Sequence, residues 1–458
     1  MNRQEKVKWF MAQFNMVCIL VVLLGSGGIV KAESQASDQN SVSSAGTEPA
    51  APNPYAGDIW HRSKLTGDWG GERTKLAEKG ITFDTDWIQT YQGVAGGKRQ
   101  LWKYGGLFEY TIKLDFQKMG LWPGAFLEIG AENQYGQFIN RNTGAMIPAN
   151  TAGVFPEPGQ QEVYLDKVVF TQFFSETFGL FFGKLTTITE SAGDWNPFAG
   201  GKGNTQFMNL SFVSNPTLLT MVPYSSLGGG AVFLFPNLSP NPKQPAMFTI
   251  SMLGAAGQPG EWPWEDYSSG TVTAGELTLP TNFFGKPGGH LLGAAYNSKD
   301  FTAIGQDPRL ILGDILQGLP PNLQKHQGSS GFYYNFYQYL VSDANNPTRG
   351  WGIFGRYGLA DQSTNPIANF YSIGLGGKGT FDGRDKDTWG IGYFYTDISN
   401  DFLKIVQRRF GDSQGFEAFY NIEVTPWLHI TPDFQVIDPS NKQADIAYVT
   451  GLRVKIDF

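Results

Sequence analysis

The chain has 458 residues, a formal net charge of −7, 58 Gly, 12 Trp, 19 Tyr, 35 Phe and a single Cys. This much Gly and aromatic character with few helical repeats argues for an all-β protein rich in turns. An acidic balance without a basic cluster argues against a nucleic-acid partner, and one Cys leaves no disulfide framework.

Residues 1–32 read as a signal peptide. Arg3, Lys6 and Lys8 form the charged start, residues 17–24 (V-C-I-L-V-V-L-L) the apolar core, and Val30, Lys31 and Ala32 the approach to a cleavage point. The apolar run falls short of the roughly 20 residues that a spanning helix needs. Its removal takes away four bases and one acid, moves the net charge from −7 to −10 and leaves no Cys. Residues 33–56, rich in Ser, Ala, Asn, Gln and Pro, read as a flexible periplasmic linker. Residues 57–80 hold a short helix: Asp68 can cap its start, Lys75 and Lys79 suit its end, and Gly80 can stop it.

Residues 81–458 resolve into about sixteen amphipathic runs separated by turn signals. They begin near Ile81, Tyr104, Pro123, Gln160, Phe178, Leu227, Met247, Thr271, His290, Gly328, Gly350, Ile367, Thr388, Gln414, Trp427 and Asp445. In the second, Phe108, Tyr110, Ile112, Leu114 and Phe116 oppose Glu109, Thr111, Lys113 and Asp115. In the fourteenth, Phe416, Ala418, Tyr420, Ile422 and Val424 oppose Glu417, Phe419, Asn421 and Glu423. In the fifteenth, Leu428, Ile430, Phe434 and Val436 oppose His429, Thr431, Asp433 and Gln435, and Pro432 on the outer side removes one ladder hydrogen bond.

The last run is the clearest. Ile446, Tyr448, Thr450, Leu452, Val454, Ile456 and Phe458 share one face, and Asp445, Ala447, Val449, Gly451, Arg453, Lys455 and Asp457 the other. In a soluble sheet this would be a sticky edge. In a closed transmembrane antiparallel β-barrel the apolar row meets outer-membrane lipid, the polar row meets the lumen, and no edge remains. Short connections alternate with long ones near residues 139–159, 189–226, 258–270 and 304–327, and an even strand count returns both chain ends to the periplasm. The last strand is then expected to pair with the first. Trp102, Trp122, Trp351, Trp389 and Trp427 lie near strand ends, where interfacial girdles form.

Residues 65–84 (L-T-G-D-W-G-G-E-R-T-K-L-A-E-K-G-I-T-F-D) resemble the N-terminal signature of the OprB-like carbohydrate-selective porins. So do F-G-K-L at 182–185, D-W-N-P-F-A-G-G at 194–201, T-Q-F-M-N at 205–209, and Asn215-Pro216 with P-Y-S-S-L-G at 223–228. The resemblance runs from about Trp60 to Phe458. It implies a sixteen-stranded outer-membrane barrel whose loops fold inward to narrow a sugar-selective channel.

A pore needs a lining and no reaction centre. Aromatic rings pack on the C–H faces of a sugar, while carboxylates, Arg, Asn and Gln bond its hydroxyls. The long stretch 189–226 is the expected constriction, with Asp194, Trp195, Asn196, Phe198, Lys202, Gln206 and Asn209 as candidate contacts. The competing reading makes Trp195 and Phe198 simple anchors to the wall. Inward charges form a second set, including Glu109, Glu128, Arg356, Glu417 and Arg453, most of them expected to keep the lumen wet. Arg356 is favoured for touching the permeant, since it can donate to two hydroxyls at once. Arg141, in a long loop, offers a donor at the mouth.

Enzyme readings fare poorly. His61, His290, His326 and His429 show no metal-ligand spacing, there is no G-x-S-x-G elbow, and no carboxylate pair stands out. No cofactor or metal is expected. The expected function is a passive outer-membrane porin for mono- or oligosaccharides, with lipid around it and the barrel-assembly machinery engaging its C-terminal strand. The rivals are a soluble secreted or periplasmic β-rich carbohydrate-binding protein and a barrel enzyme of the outer membrane.

Overall fold

The computed structural model describes residues 53–154, 162–187, 195–200, 204–261, 263–317, 319–344 and 346–458. The expected signal peptide, the linker up to residue 52, Asp194 and Lys202 lie outside the described residues.

Sixteen antiparallel strands close into one barrel in which each strand pairs with its sequence neighbours and the last with the first. They are β1 (Ile81–Gly96), β2 (Leu101–Asp115), β3 (Ala125–Gly136), β4 (Tyr164–Ser175), β5 (Phe178–Thr186), β6 (Ser225–Phe235), β7 (Ala246–Gly254) and β8 (Thr271–Phe283). The series continues with β9 (Lys286–Thr302), β10 (Lys325–Ser342), β11 (Gly350–Ala360), β12 (Ile367–Lys378), β13 (Thr388–Ile398), β14 (Ser413–Thr425), β15 (Leu428–Asp438) and β16 (Ala447–Asp457). All sixteen expected runs are strands. Closure runs from Asp86↔Asp457 to Gly96↔Ala447, so the barrel has no free edge.

The period-2 pattern decides which way each side chain points. In β16, Tyr448 and Leu452 are 48% and 47% exposed while Val449 and Arg453 are at 0%. Trp102, Trp389 and Tyr371 belong to the outer rows, and Trp102 stacks on Tyr91 at 5.0 Å. Pro432 acts as expected on one side only. The β15–β16 ladder runs through Pro432↔Leu452 without a break. The β14–β15 ladder skips from Phe419↔Asp433 to Ile422↔Ile430. The missing N–H therefore faces β14, and Thr431 Oγ1 donating to Asn421 Oδ1 at 2.8 Å spans the gap.

The expected helix before β1 starts later than Asp68. Trp69, Gly70 and Gly71 all take positive φ (50°, 71° and 97°), so α1 is limited to Glu72–Glu78. Asp68 still serves the turn, accepting from Thr74 N at 2.9 Å.

Two connections at the end opposite the termini fold into the barrel. The first carries α2 (Asn140–Thr143) and a short turn at Thr151–Gly153; the second follows β5 and carries α3 (Leu210–Val213). β5 has 9 residues, and its ladder to β4 starts at Val168↔Lys184; beyond that pair, alongside Tyr164–Lys167, Leu185 and Thr186 pair with β6. The β7–β8 connection covers that place. Gly260 N donates to Leu165 O at 3.0 Å, and Lys184 Nζ donates to the carbonyls of Gln258 (2.7 Å) and Glu261 (3.2 Å). Gly260, at φ +73°, lies against the Tyr164 ring, where a Cβ has no room.

Candidate functional site

Among the described residues outside the wall, the segment at 195–200 and 204–224 is the most deeply buried. Phe207, Met208, Leu210, Phe212, Leu218 and Met221 are all at 0% exposure. They pack on inward faces that carry Gly and Phe where a water-filled lumen would call for polar residues. A Cβ at Gly376 would stand 2.7 Å from Cβ of Phe198, one at Gly390 2.7 Å from Phe207, and one at Gly392 2.5 Å from Phe212. The β11–β13 wall is thus recessed to receive aromatic knobs from the segment. Phe207 completes the fit against Phe212 at 4.5 Å, Phe419 at 4.8 Å and Phe354 at 5.4 Å. Burying such a ring stabilises by roughly 1.5–3 kcal/mol, so several of them hold the segment firmly against the wall.

Polar side chains of the wall then fix its path. Glu417, on β14, accepts from Met208 N (2.5 Å) and Asn209 N (2.9 Å) through its two oxygens. Asn209 caps α3 through Ser211 N and donates from Nδ2 to Gln435 Oε1 at 3.1 Å. Gln435 donates in turn to Ala149 O at 2.9 Å, which ties in the first inward segment. The two segments also meet directly, with Thr151 N donating to Met208 O (2.8 Å) and Leu210 N to Pro148 O (3.0 Å). On β11, Arg356 donates to Ala199 O at 2.6 Å and to Ser214 O at 3.4 Å. Asn297 and Asn365 donate to the carbonyls of Met221 (2.5 Å) and Thr217 (2.6 Å).

The expected site residues fall into three groups. Phe198 is buried between Gly352, Gly376 and the Tyr339 ring (4.7 Å), which makes it an anchor. Asn196 is buried and turns back to its own loop at Phe198 N (3.0 Å). Gln206 donates to Pro197 O at 2.7 Å and accepts from Gly200 N, closing the tip of the segment on itself. Arg356, Glu417, Arg453 and Glu128 are 0–4% exposed. They do not face an open lumen: Arg356 and Glu417 hold the inward segment, Glu128 pairs with Lys167 at 2.5 Å, and Arg453 donates to Thr431 Oγ1 at 3.2 Å. The physical reason is that an apolar-walled cavity filled by a loop leaves its carbonyls and amides needing partners, and inward charges supply them.

The third group retains access. Trp195 is half-buried, edge-on to Tyr337 at 5.2 Å. Glu109, on β2, is half-buried and accepts from Asn204 Nδ2 at 2.7 Å. The next residue, Thr205, accepts at its carbonyl from Thr388 Oγ1 of β13 at 3.3 Å. Asn204 and Thr205 therefore bridge the lumen between β13 and β2. Beside Glu109 the inner rows of β16, β1 and β2 keep Lys455, Asp84, Asp86 and Lys113 partly accessible, with Lys455 Nζ 3.2 Å from Asp86. Arg141 is exposed on α2. Asp86, Asn204, Tyr337 and the segment around Asn150 were not singled out from sequence. The readable signal for the segments was the Gly-and-Phe content of the inward rows of β11–β13.

A family model described as carbohydrate-selective porin, OprB family, matches residues 99–458. Porin B of Pseudomonas aeruginosa is 24% identical over 440 residues, covering 86% of this chain and 91% of that protein. The putative porin QuiX of Acinetobacter baylyi is 23% identical over 201 residues, covering 38% of this chain and 42% of that protein. Among solved structures, the high-pH form of Pseudomonas putida OprB matches with a TM-score of 0.71 at 21% identity, covering 86% of this chain and 98% of that one. Its low-pH form matches with a TM-score of 0.55 at 18% identity, covering 87% and 99%. At these identities the structural likeness is one of fold.

Proposed function

This chain belongs to the OprB family of carbohydrate-selective porins, and we propose that its sugar path runs along the β16–β1–β2 wall, narrowed by the segment that Asn204 brings to Glu109. The protein is an outer-membrane channel and not an enzyme. The observation that carries the path is the contrast between walls. The β11–β13 side is recessed and covered by buried aromatics. On the β16–β1–β2 wall only the upper part (Thr90, Gln92, Arg453) is covered, and Asp84, Asp86, Glu109, Lys113 and Lys455 stay partly accessible toward the end where the termini lie. Alternating acids and amines accept from and donate to sugar hydroxyls, and their mixed signs suit an uncharged polar solute. Trp195 and Tyr337 supply the apolar surface that a sugar ring packs on.

The same reading gives the barrel its orientation. Both termini face the periplasm, residues 1–32 direct export, and the two inward segments enter from outside. The outward rows contact lipid, and the C-terminal strand ending in Phe458 presents the aromatic that assembly machinery engages.

The test is a sugar titration in planar bilayers. Wild-type conductance is expected to fall as a neutral mono- or oligosaccharide is added, and Glu109→Leu to weaken that block. Block that depends only on charged solutes would refute sugar selectivity, and an unchanged titration with Glu109→Leu would take Glu109 off the path.

A further inference from the structure

The G-D-W-G-G-E-R stretch at 67–73 plays no part in the channel reading, yet it is built around a buried cation. Arg73 is 5% exposed, with its guanidinium 4.5 Å from the Trp69 ring and 5.1 Å from that of Tyr55. It donates to Gly67 O (3.2 Å), to Phe83 O of β1 (3.0 Å) and to Phe458 O at the end of the chain (2.7 Å). Trp69 reaches its stacking position by adopting φ 50°, a conformation that costs a side-chain-bearing residue energy and that the surrounding contacts must hold. Gly70 and Gly71 continue the positive-φ run that the turn requires. Asp68 fixes its base, accepting from Thr74 N, Thr74 Oγ1 and Asn53 Nδ2 at 2.8–2.9 Å.

This assembly sits where the barrel seam runs out of ladder. Pairing between β1 and β16 ends at Asp86↔Asp457, while β1 continues down to Ile81 with only β2 beside it. Along that overhang the N-terminal segment takes over. Leu65 N donates to Asp457 O at 2.7 Å, Lys64 pairs with Asp84 at 2.7 Å, and Arg73 joins the Phe83 and Phe458 carbonyls. Trp427 Nε1 extends the grip to the β14–β15 turn by donating to Ile59 O at 2.6 Å. Hydrogen bonds from a guanidinium are stronger than those between neutral groups, and this one reaches residues 385 positions apart in the chain.

We propose that residues 53–80 are a clasp across the barrel seam, with Arg73 as its latch, so that the first and last strands stay zipped at their terminal ends only while this segment is docked. The clasp touches the proposed sugar path at Asp84, which Lys64 holds, whereas its latch Arg73 bonds to the Gly67, Phe83 and Phe458 carbonyls and to none of the path's side chains named above. It also joins the start of the β-region to Phe458, just beyond β16, so this contact forms only once the first and last strands are both in place.

Hydrogen exchange on the full chain in detergent micelles tests this. Arg73→Ala is expected to speed exchange in β1 and β16 by about tenfold or more while β8 and β9 keep their rates; Arg73→Lys, with one donor group in place of a fork, should fall between. Equal protection of β1 and β16 in wild type and Arg73→Ala overturns the proposal, as does loosening spread evenly over the barrel. Should Arg73→Ala fail to assemble, the variant is combined with Gln89→Cys/Val454→Cys, a register pair whose disulfide spans the seam. That bond is expected to restore assembly, and a Leu277→Cys/Leu292→Cys bond between β8 and β9 is not. Rescue by both, or by neither, overturns the clasp.

Discussion

Glu417 is the side chain whose loss should most cleanly release the constriction without unfolding the barrel. It is fully buried on β14 and presents its two oxygens to Met208 N and Asn209 N, at 2.5 and 2.9 Å. In Glu417→Ala both amides lose their acceptor inside the protein, and a buried unsatisfied group costs roughly 1–3 kcal/mol. The pair then costs about 2–6 kcal/mol, and even the lower bound shifts the balance between docked and released segment about 30-fold. That energy is not drawn from the wall, since β14 stays paired with β13 and β15 through its backbone. In bilayers, Glu417→Ala is expected to insert normally, to show larger and noisier single-channel steps, and to lose sugar block. Glu417→Gln keeps one acceptor and should be intermediate. Wild-type conductance and block in Glu417→Ala would refute the assignment of Glu417 as the holder of the segment.

Three further outcomes are expected. Gly376→Val puts a Cβ within 2.7 Å of Phe198 Cβ; overpacking costs about 1–3 kcal/mol, so the tip should lift from β12 and raise conductance, and a current indistinguishable from wild type would count against the recessed-wall fit. Pro432→Val restores a donor facing the gap in the β14–β15 ladder and should stabilise by about 0.5–1.5 kcal/mol, read as a higher temperature for the heat-induced mobility shift on gels. Trp195→Ala removes the half-buried ring beside Tyr337 and is expected to weaken sugar block with folding intact, whereas unchanged block would leave Trp195 an anchor only.

The wall was legible because its rule is local. A period of two carried through β2, β14, β15 and β16 separates Glu417 from Phe416 and Arg453 from Leu452 without reference to anything distant. The strand count and the closure of the last strand on the first follow from that rule; connection length marked the stretch before β6 as the candidate constriction, and its inward fold was implied by the family resemblance. What the inward charges do was not legible, because a strand pattern reports direction and not what lies opposite. Arg356 points inward as expected, yet it meets the Ala199 and Ser214 carbonyls of a segment more than 140 residues earlier in the chain. Likewise Asn204 carries no motif that announces Glu109 as its partner across the lumen. The Trp69-Gly70-Gly71 turn hid the true start of α1, since a capping rule applied to Asp68 assumes helical φ in residues that here take the left-handed form.

The parting of β5 from β4 has a consequence for how such a channel can be altered. Beside Tyr164–Lys167, β5 parts from β4 and stays on β6, just before the chain runs on to the segment that narrows the lumen, and the β7–β8 connection covers the opening, bound to Leu165 and Lys184. Aperture and watertightness are therefore not separate traits of this protein. A deletion meant to widen the bore by shortening residues 187–224 also pulls on the sheet at its thinnest place, so the leak it produces would include flow at the flank as well as through the centre. Substitutions that loosen the segment while keeping its full length separate the two, and they are the safer route to a wider channel with an intact side.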